Sequence, residues 1–148
     1  MRFAALYPEF LVERLERSES FYVEVLGFEV EYRRPEESFV FLSFGEAQLM
    51  LLQDNEDRHS RTGPLEYPRG RGVNFSIATA STASMLRALE AGGHSPRIPV
   101  RDRWHRQDDI EHGERQLWVM DPDGYLLRFI ESLGTRPFDP ERAGAGRG

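Results

Sequence analysis

Four histidines and a charged loop offer the plainest metal chemistry in this chain. His59, His94, His105 and His112 are scattered, and Asp108, Asp109 and Glu111 fall between the last two. His105 and His112 could approach one another, but their spacing matches no standard ligand pattern, and solvated loop histidines are the simpler reading. No serine sits in a nucleophile-elbow context. Arg69-Gly70-Arg71-Gly72 is too short, and lacks the following helix, to cradle a phosphate. Two residues point to binding rather than bond-making. Trp104 lies in the charged run Asp102 to Arg106, where a lid or stacking role is the favoured reading. Arg128 stands shortly after Asp121-Pro122-Asp123-Gly124, a turn in which proline presets the second position and glycine closes a type I geometry.

Composition removes several classes of function. The 148 residues carry a formal net charge of −6, which argues against a nucleic-acid surface and fits a cationic or neutral small ligand loosely. There is no cysteine, hence no disulfide, thiol nucleophile or Cys-type zinc site. One early arginine and no long apolar run predict neither a signal peptide nor a membrane span. A cytoplasmic location is the default expectation.

The elements that must position these residues repeat an order. A first strand is expected over Phe3 to Val12. Helical spacing follows from Leu15 to Leu26, with Gly27 to stop it and Ser18 or Ser20 able to cap a shorter helix. Strands are expected over Phe28 to Arg33, Ser38 to Phe44 and Ala47 to Gln53. Residues 54–71, broken by proline and glycine, read as a connector. The second half runs from a strand at Val73 to Thr79 to a helix at Ser81 to Ala91 and a short strand at Pro96 to Val100. A long polar loop at Asp102 to Glu114 comes next, and strands at Arg115 to Met120 and Tyr125 to Glu131 pair through the turn. The tail 135–148 is expected to be flexible. Residues 1–134 thus form one domain, with modules at 1–53 and 72–134 that duplicate one architecture.

The helix-to-strand run RSESFYVEVLGFEV (Arg17 to Val30) with its hairpin FLSFGEAQLML, followed by RGVNFSI, DRWHR and GERQLWVMDPDGYLLRF, resembles the vicinal oxygen chelate superfamily. That superfamily includes glyoxalase I, the extradiol dioxygenases, fosfomycin-modifying transferases and the bleomycin resistance proteins. The second half is closer to the bleomycin-resistance-like branch. The resemblance covers roughly residues 5 to 134. It implies an α+β fold of paired βαβββ modules, whose sheets curl into a half-open barrel completed across a homodimer.

Enzymes of that superfamily hold a divalent metal with four inward strand positions, usually histidines and glutamates. Here the resemblance places Tyr7, Met50, Asn74 (or the neighbouring Val73) and Arg128 at those positions. Such donors suit neither hard nor borderline metals, and a cation cannot ligate a cation. No metal and no other cofactor is therefore expected.

With those positions inward, alternation places Glu9, Gln48, Ser76, Gln116 and Trp118 on the same faces. Phe10, Val12, Leu49, Leu51, Val73, Phe75, Ile77, Leu117, Val119, Leu127 and Phe129 fall on the helix-packing faces. A mixed apolar and polar inward set is the composition of a small-molecule pocket. Ligand contacts are expected from Tyr7, Glu9, Gln48, Met50, Asn74, Ser76, Trp104, Gln116, Trp118 and Arg128. Each also has a plainer structural reading; an ion pair between Glu9 and Arg128 is as good an account of those two as ligand contact. The favoured function is metal-independent binding and sequestration of a drug-like, bleomycin-type cation in a cleft between modules or subunits. The alternative is a metal-dependent enzyme with displaced ligands and Glu9 as its base. A third reading is a regulatory domain that kept only the fold.

Overall fold

The computed structural model describes residues 1–144. Its first module comprises β1 (Glu9–Val12), α1 (Leu15–Ser20), a π-helical turn (Phe21–Val25), β2 (Glu29–Arg34), β3 (Phe39–Phe44) and β4 (Ala47–Gln53). The second comprises β5 (Asn74–Ala78), α2 (Thr82–Ala91), β6 (Arg101–Gln107), β7 (Ile110–Met120) and β8 (Leu126–Pro137), followed by α3 (Pro140–Gly144). Each module is one four-stranded sheet, ordered β1-β4-β3-β2 and β5-β8-β7-β6. The first and last strands of each module pair in parallel, and the other neighbours are antiparallel. The fold is α+β and duplicated.

The helix-side faces carry the expected apolar residues. Phe10, Val12, Leu49, Leu51, Leu117, Val119, Leu127 and Phe129 are buried in one cluster with Phe21, Tyr22 and Leu89 from the helical segments. Strand alternation produces this face, and burying it against helices supplies the main stabilisation. Val73 is the exception: it precedes β5 and is 52% exposed. Gly27, at φ +84°, ends the first helical segment where expected. Neither Ser18 nor Ser20 caps it, because the helix begins at Leu15 and Ser18 is buried within it. In α2 the cap is Ser81, whose hydroxyl accepts from the Ser84 amide at 3.1 Å.

Four expectations about chain course are corrected. Only Glu9–Val12 of the first expected strand pairs; the preceding residues fold over the sheet, where the Ala4 amide donates to the Gln48 side chain at 2.7 Å. Pro96 to Val100 is not a strand. The long polar loop is instead a hairpin, β6 paired with β7 from Arg101↔Gln116 to Gln107↔Ile110. Its strands escape notice because β6 is a mostly exposed edge with polar residues on both faces. Asp108 makes the tight return at φ 55°, a region aspartate tolerates better than most residues. Within the expected flexible tail, β8 continues to Pro137, opposite Ile110. The buried Glu111 carboxylate then accepts from Arg136 at 2.8 Å and from Arg142 of α3 at 3.3 Å. Residues 145–148 lie outside the described residues.

Candidate functional site

The two sheets face one another through their helix-side faces. Phe44 and Phe129 pack edge-on with ring centroids 5.6 Å apart, and Phe10 meets Phe75 at 5.1 Å. The remaining faces therefore point away from the shared core. Glu9, Gln48 and Met50 lie on the outer face of the first sheet; Asn74, Ser76, Gln116, Trp118 and Arg128 lie on that of the second. Within one chain, of these two sets only Gln48 and Ser76 border a common cavity. Arg128 accordingly makes no ion pair with Glu9 or any other described carboxylate.

The first outer face is filled by its own aromatics. Tyr32 stacks on Phe41 at 5.2 Å and 11°, and Phe3 packs edge-on to Phe41 at 5.4 Å. Tyr7 lies before β1 and contributes its ring to this cluster, 5.5 Å from Phe41. Met50 and Leu65 pack against the buried Leu11, Phe39 and Leu52. Both ends of the Gln48 amide are engaged by the N-terminal backbone, at Ala4 N–H and Arg2 C=O. Tyr7, Gln48 and Met50 thus cover a sheet. Gln48 and Ser76 also border a cavity of about 150 Å³ lined by Phe10, Leu49, Phe75 and Ile77.

The second outer face is open and carries a connected polar row. Trp118, Arg128 and Ser76 are cross-strand neighbours on β7, β8 and β5. The Arg128 Nε and Nη2 both donate to Ser76 Oγ, at 3.0 and 2.6 Å, and its guanidinium carbon lies 5.0 Å from the Trp118 ring centroid. The indole N–H of Trp118 donates to Gln116 Oε1 at 3.2 Å. The Gln116 amide in turn donates to Glu114 at 2.9 Å, and His105 lies 3.5 Å from the same carboxylate. Each group is oriented by the next, so the row is a preset arrangement of polar groups. Asn74 is exposed at the strand's start.

Trp104 is not part of this face. It pairs with Gly113, which alternates to the other side of the sheet from Trp118. Its ring lies on Gly113, where a Cβ would come within 2.7 Å, and the Arg136 guanidinium stacks over it at 4.0 Å. The loop on which the lid reading rests is a strand, β6. Sequence reasoning also missed Arg101, Arg103, His105 and Glu114 as members of the outer face. Only register reveals them: Arg101 opposes Gln116, and Arg103 opposes Glu114.

The donor set does not fit a resident divalent metal. Tyr7 is held in an aromatic cluster, Arg128 is a cation, and Met50 and Asn74 offer only a thioether and an amide. Among the described residues no three His, Asp or Glu side chains converge as ligands. His105 and His112 do face one another across the hairpin, and His112 is hydrogen-bonded to Gln107.

The Asp121 to Gly124 turn does more than reverse the chain. Asp123 accepts from the Glu13 amide at 3.0 Å and from Arg17 at 2.8 Å, and Asp121 accepts from the buried Tyr22 hydroxyl at 2.8 Å. Tyr125 donates to the Leu11 carbonyl at 2.8 Å. The turn therefore docks the second module onto the first. Burial pushes the Asp121 carboxyl up to about 6, against the opposing pull of its hydrogen bonds from Tyr22 and two backbone amides.

A structure from the mobile metagenome of V. Pseudocholerae matches with TM-score 0.64 and 18% identity, over 88% of this chain and 96% of that one. A protein of unknown function from Agrobacterium tumefaciens str. C58 matches at 26% identity and TM-score 0.60, over 90% and 95%. The fosfomycin resistance protein FosX from Listeria monocytogenes shares the fold at 13% identity and TM-score 0.59, over 88% and 94%. No curated protein matches the chain. The family model described as the Glyoxalase/Bleomycin resistance protein/Dioxygenase superfamily matches residues 5–129, and the chain belongs to that superfamily.

Proposed function

We propose that this chain is a metal-independent small-molecule-binding protein of the resistance type, which acts by holding its ligand rather than transforming it. The observation that carries this reading is Arg128. It stands where the resemblance places a metal-binding glutamate, and it is anchored to Ser76 and Trp118 on an open sheet face. A superfamily that contains both resistance proteins and metal enzymes allows either function. The residues here favour the former, since the four positions supply a phenol, a thioether, an amide and a guanidinium. The proposed ligand site is the outer face of the second sheet, completed by a second copy in a homodimer. No helix among the described residues is long and apolar enough to cross a membrane, and the proposed place of action is the cytoplasm.

The test is a thermal-shift screen with drug-sized molecules divided equally among anions, neutrals and cations. Bound metal is quantified in the same dialysed preparation. The expected result is saturable binding without metal. Trp118→Ala should weaken that binding tenfold or more, in line with the roughly 2 kcal/mol cost of losing an aromatic anchor. Trp104→Ala, on the other face of the sheet, should leave affinity within about twofold. One tightly held metal per chain, or equal losses in the two variants, would overturn the reading.

A further inference from the structure

Resting on the outer face of the second sheet as the binding site, we infer that its ligand is a small organic oxyanion, with a carboxylate or phosphate group attached to an apolar body. This reverses the charge expected from the acidic composition. The chain is acidic, but this face is not.

Register identifies the charges that share the face with Trp118. On β6 they are Arg101 and Arg103, cross-strand partners of Gln116 and Glu114; on β8 the charge is Arg128. None of the three arginines makes an ion pair among the described residues. The arginine on the other face, Arg115, is by contrast matched to Asp102 at 2.8 Å. Glu114 is the one carboxylate placed within this group, and it is occupied by the Gln116 amide and His105.

Arg128 has the geometry of a prepared anion receptor. Its Nε and Nη2 are both drawn to Ser76 Oγ, which fixes the plane of the guanidinium, while Nη1 donates to nothing among the described residues. A neutral hydroxyl orients the cation without neutralising it. The half-buried setting against Trp118 reduces the competing solvation, so an arriving oxyanion gains more than it would at a fully exposed arginine. Leu126 and Ile130 flank Arg128 on β8 and offer the apolar half of the site. A cationic ligand would meet three like charges on the same surface, which is a repulsive selectivity element.

The test uses three probes of one shape and different charge: phenylacetate, phenylacetamide and phenethylamine. Each is titrated at low ionic strength while the indole N–H signals of Trp118 and Trp104 are followed by NMR. Phenylacetate is expected to shift Trp118 saturably, at least tenfold more tightly than phenylacetamide, and to leave Trp104 in place. Added salt should weaken it. Arg128→Gln should reduce the preference to less than about twofold, and Arg128→Lys should keep part of it, because the charge remains without the fork. Arg87→Gln, on the exposed side of α2, should change nothing. Equal or tighter binding of phenethylamine or phenylacetamide overturns the oxyanion inference while leaving a small-molecule site standing. Absence of any Trp118 shift with all three probes at millimolar concentration also overturns it. In that case the library screen decides separately whether the chain binds small molecules at all.

Discussion

Gly124→Ala should destabilise the protein by roughly 4 kcal/mol, a large share of the roughly 5–15 kcal/mol by which a folded domain is stable. Two independent causes add. The glycine has φ +92°, where an L side chain is strained by roughly 1–3 kcal/mol. A Cβ built there would lie 2.5 Å from the Pro68 Cα and 3.1 Å from the Arg69 amide nitrogen. Both are backbone atoms, so relief requires the connector to move away from the turn, and overpacking of this kind costs roughly 1–3 kcal/mol. Moving the connector would also stretch the Arg69 amide bond to the Asp123 carbonyl, now 2.9 Å. Gly134→Ala separates the two causes. Its φ is +89°, but nothing lies within 4 Å of the added carbon, so only the strain should remain, roughly 1–3 kcal/mol. Urea unfolding of the two variants measures the difference. Equal losses would mean that the turn and the connector are not closely packed.

That close packing marks the limit of what the sequence could convey. The turn itself is local chemistry, with proline and glycine at defined positions, and it is legible in Asp121 to Gly124. Its second task depends on Glu13, Arg17, Tyr22 and Arg69, residues up to 110 positions away, and no local pattern announces such partners. The strand phases were legible for the same reason that the core is good: Leu49, Leu51, Leu127 and Phe129 alternate strictly, and a slip of one residue would expose all of them. β6 was not legible, because an edge strand with little to bury carries no alternation. Missing β6 misplaced Trp104. It also concealed Arg101 and Arg103 on the proposed binding face, and with them the basic character of that face. Met50 lies on the face of its sheet that the alternation predicts, and Tyr7, which precedes β1, packs against that face. That side proved to be filled by Phe39, Phe41 and Tyr32, whose packing depends on which strands become neighbours.

Asp121→Asn should stabilise the protein relative to the parent at neutral pH, by a margin that vanishes in acid. The Asp121 carboxyl titrates at about 6 in the folded state, raised mainly by burial. In the unfolded chain it titrates near the ordinary value of about 3.9. Below the unfolded value both states hold the proton, and the protonated group adds no electrostatic cost to folding. As pH rises from about 4 to 6 the unfolded chain releases its proton first, so stability falls. Above about 6 the folded group is ionised too, and the full penalty of about 3 kcal/mol applies, from two units at about 1.4 kcal/mol each. Asparagine cannot titrate, and its side-chain oxygen still accepts from the Asp123 and Tyr125 amides, both 2.9 Å from Asp121 Oδ1. Its amide can donate to the Tyr22 oxygen in place of the present bond. Asp102 and Glu111, held below the usual carboxylate range by hydrogen bonds from Arg115 and Arg136, drive stability the opposite way by losing favourable charge in acid. Both proteins carry them, so they cancel in the difference. Denaturant unfolding of parent and variant at pH 4, 5, 6 and 7 should therefore give a difference that climbs by about 3 kcal/mol and levels off above pH 6. Tyr22→Phe removes a donor that holds the Asp121 value down, and should move the midpoint of that climb to higher pH. A difference that stays flat from pH 4 to 7 would show that water reaches Asp121, and that the turn is docked less tightly than its hydrogen bonds describe.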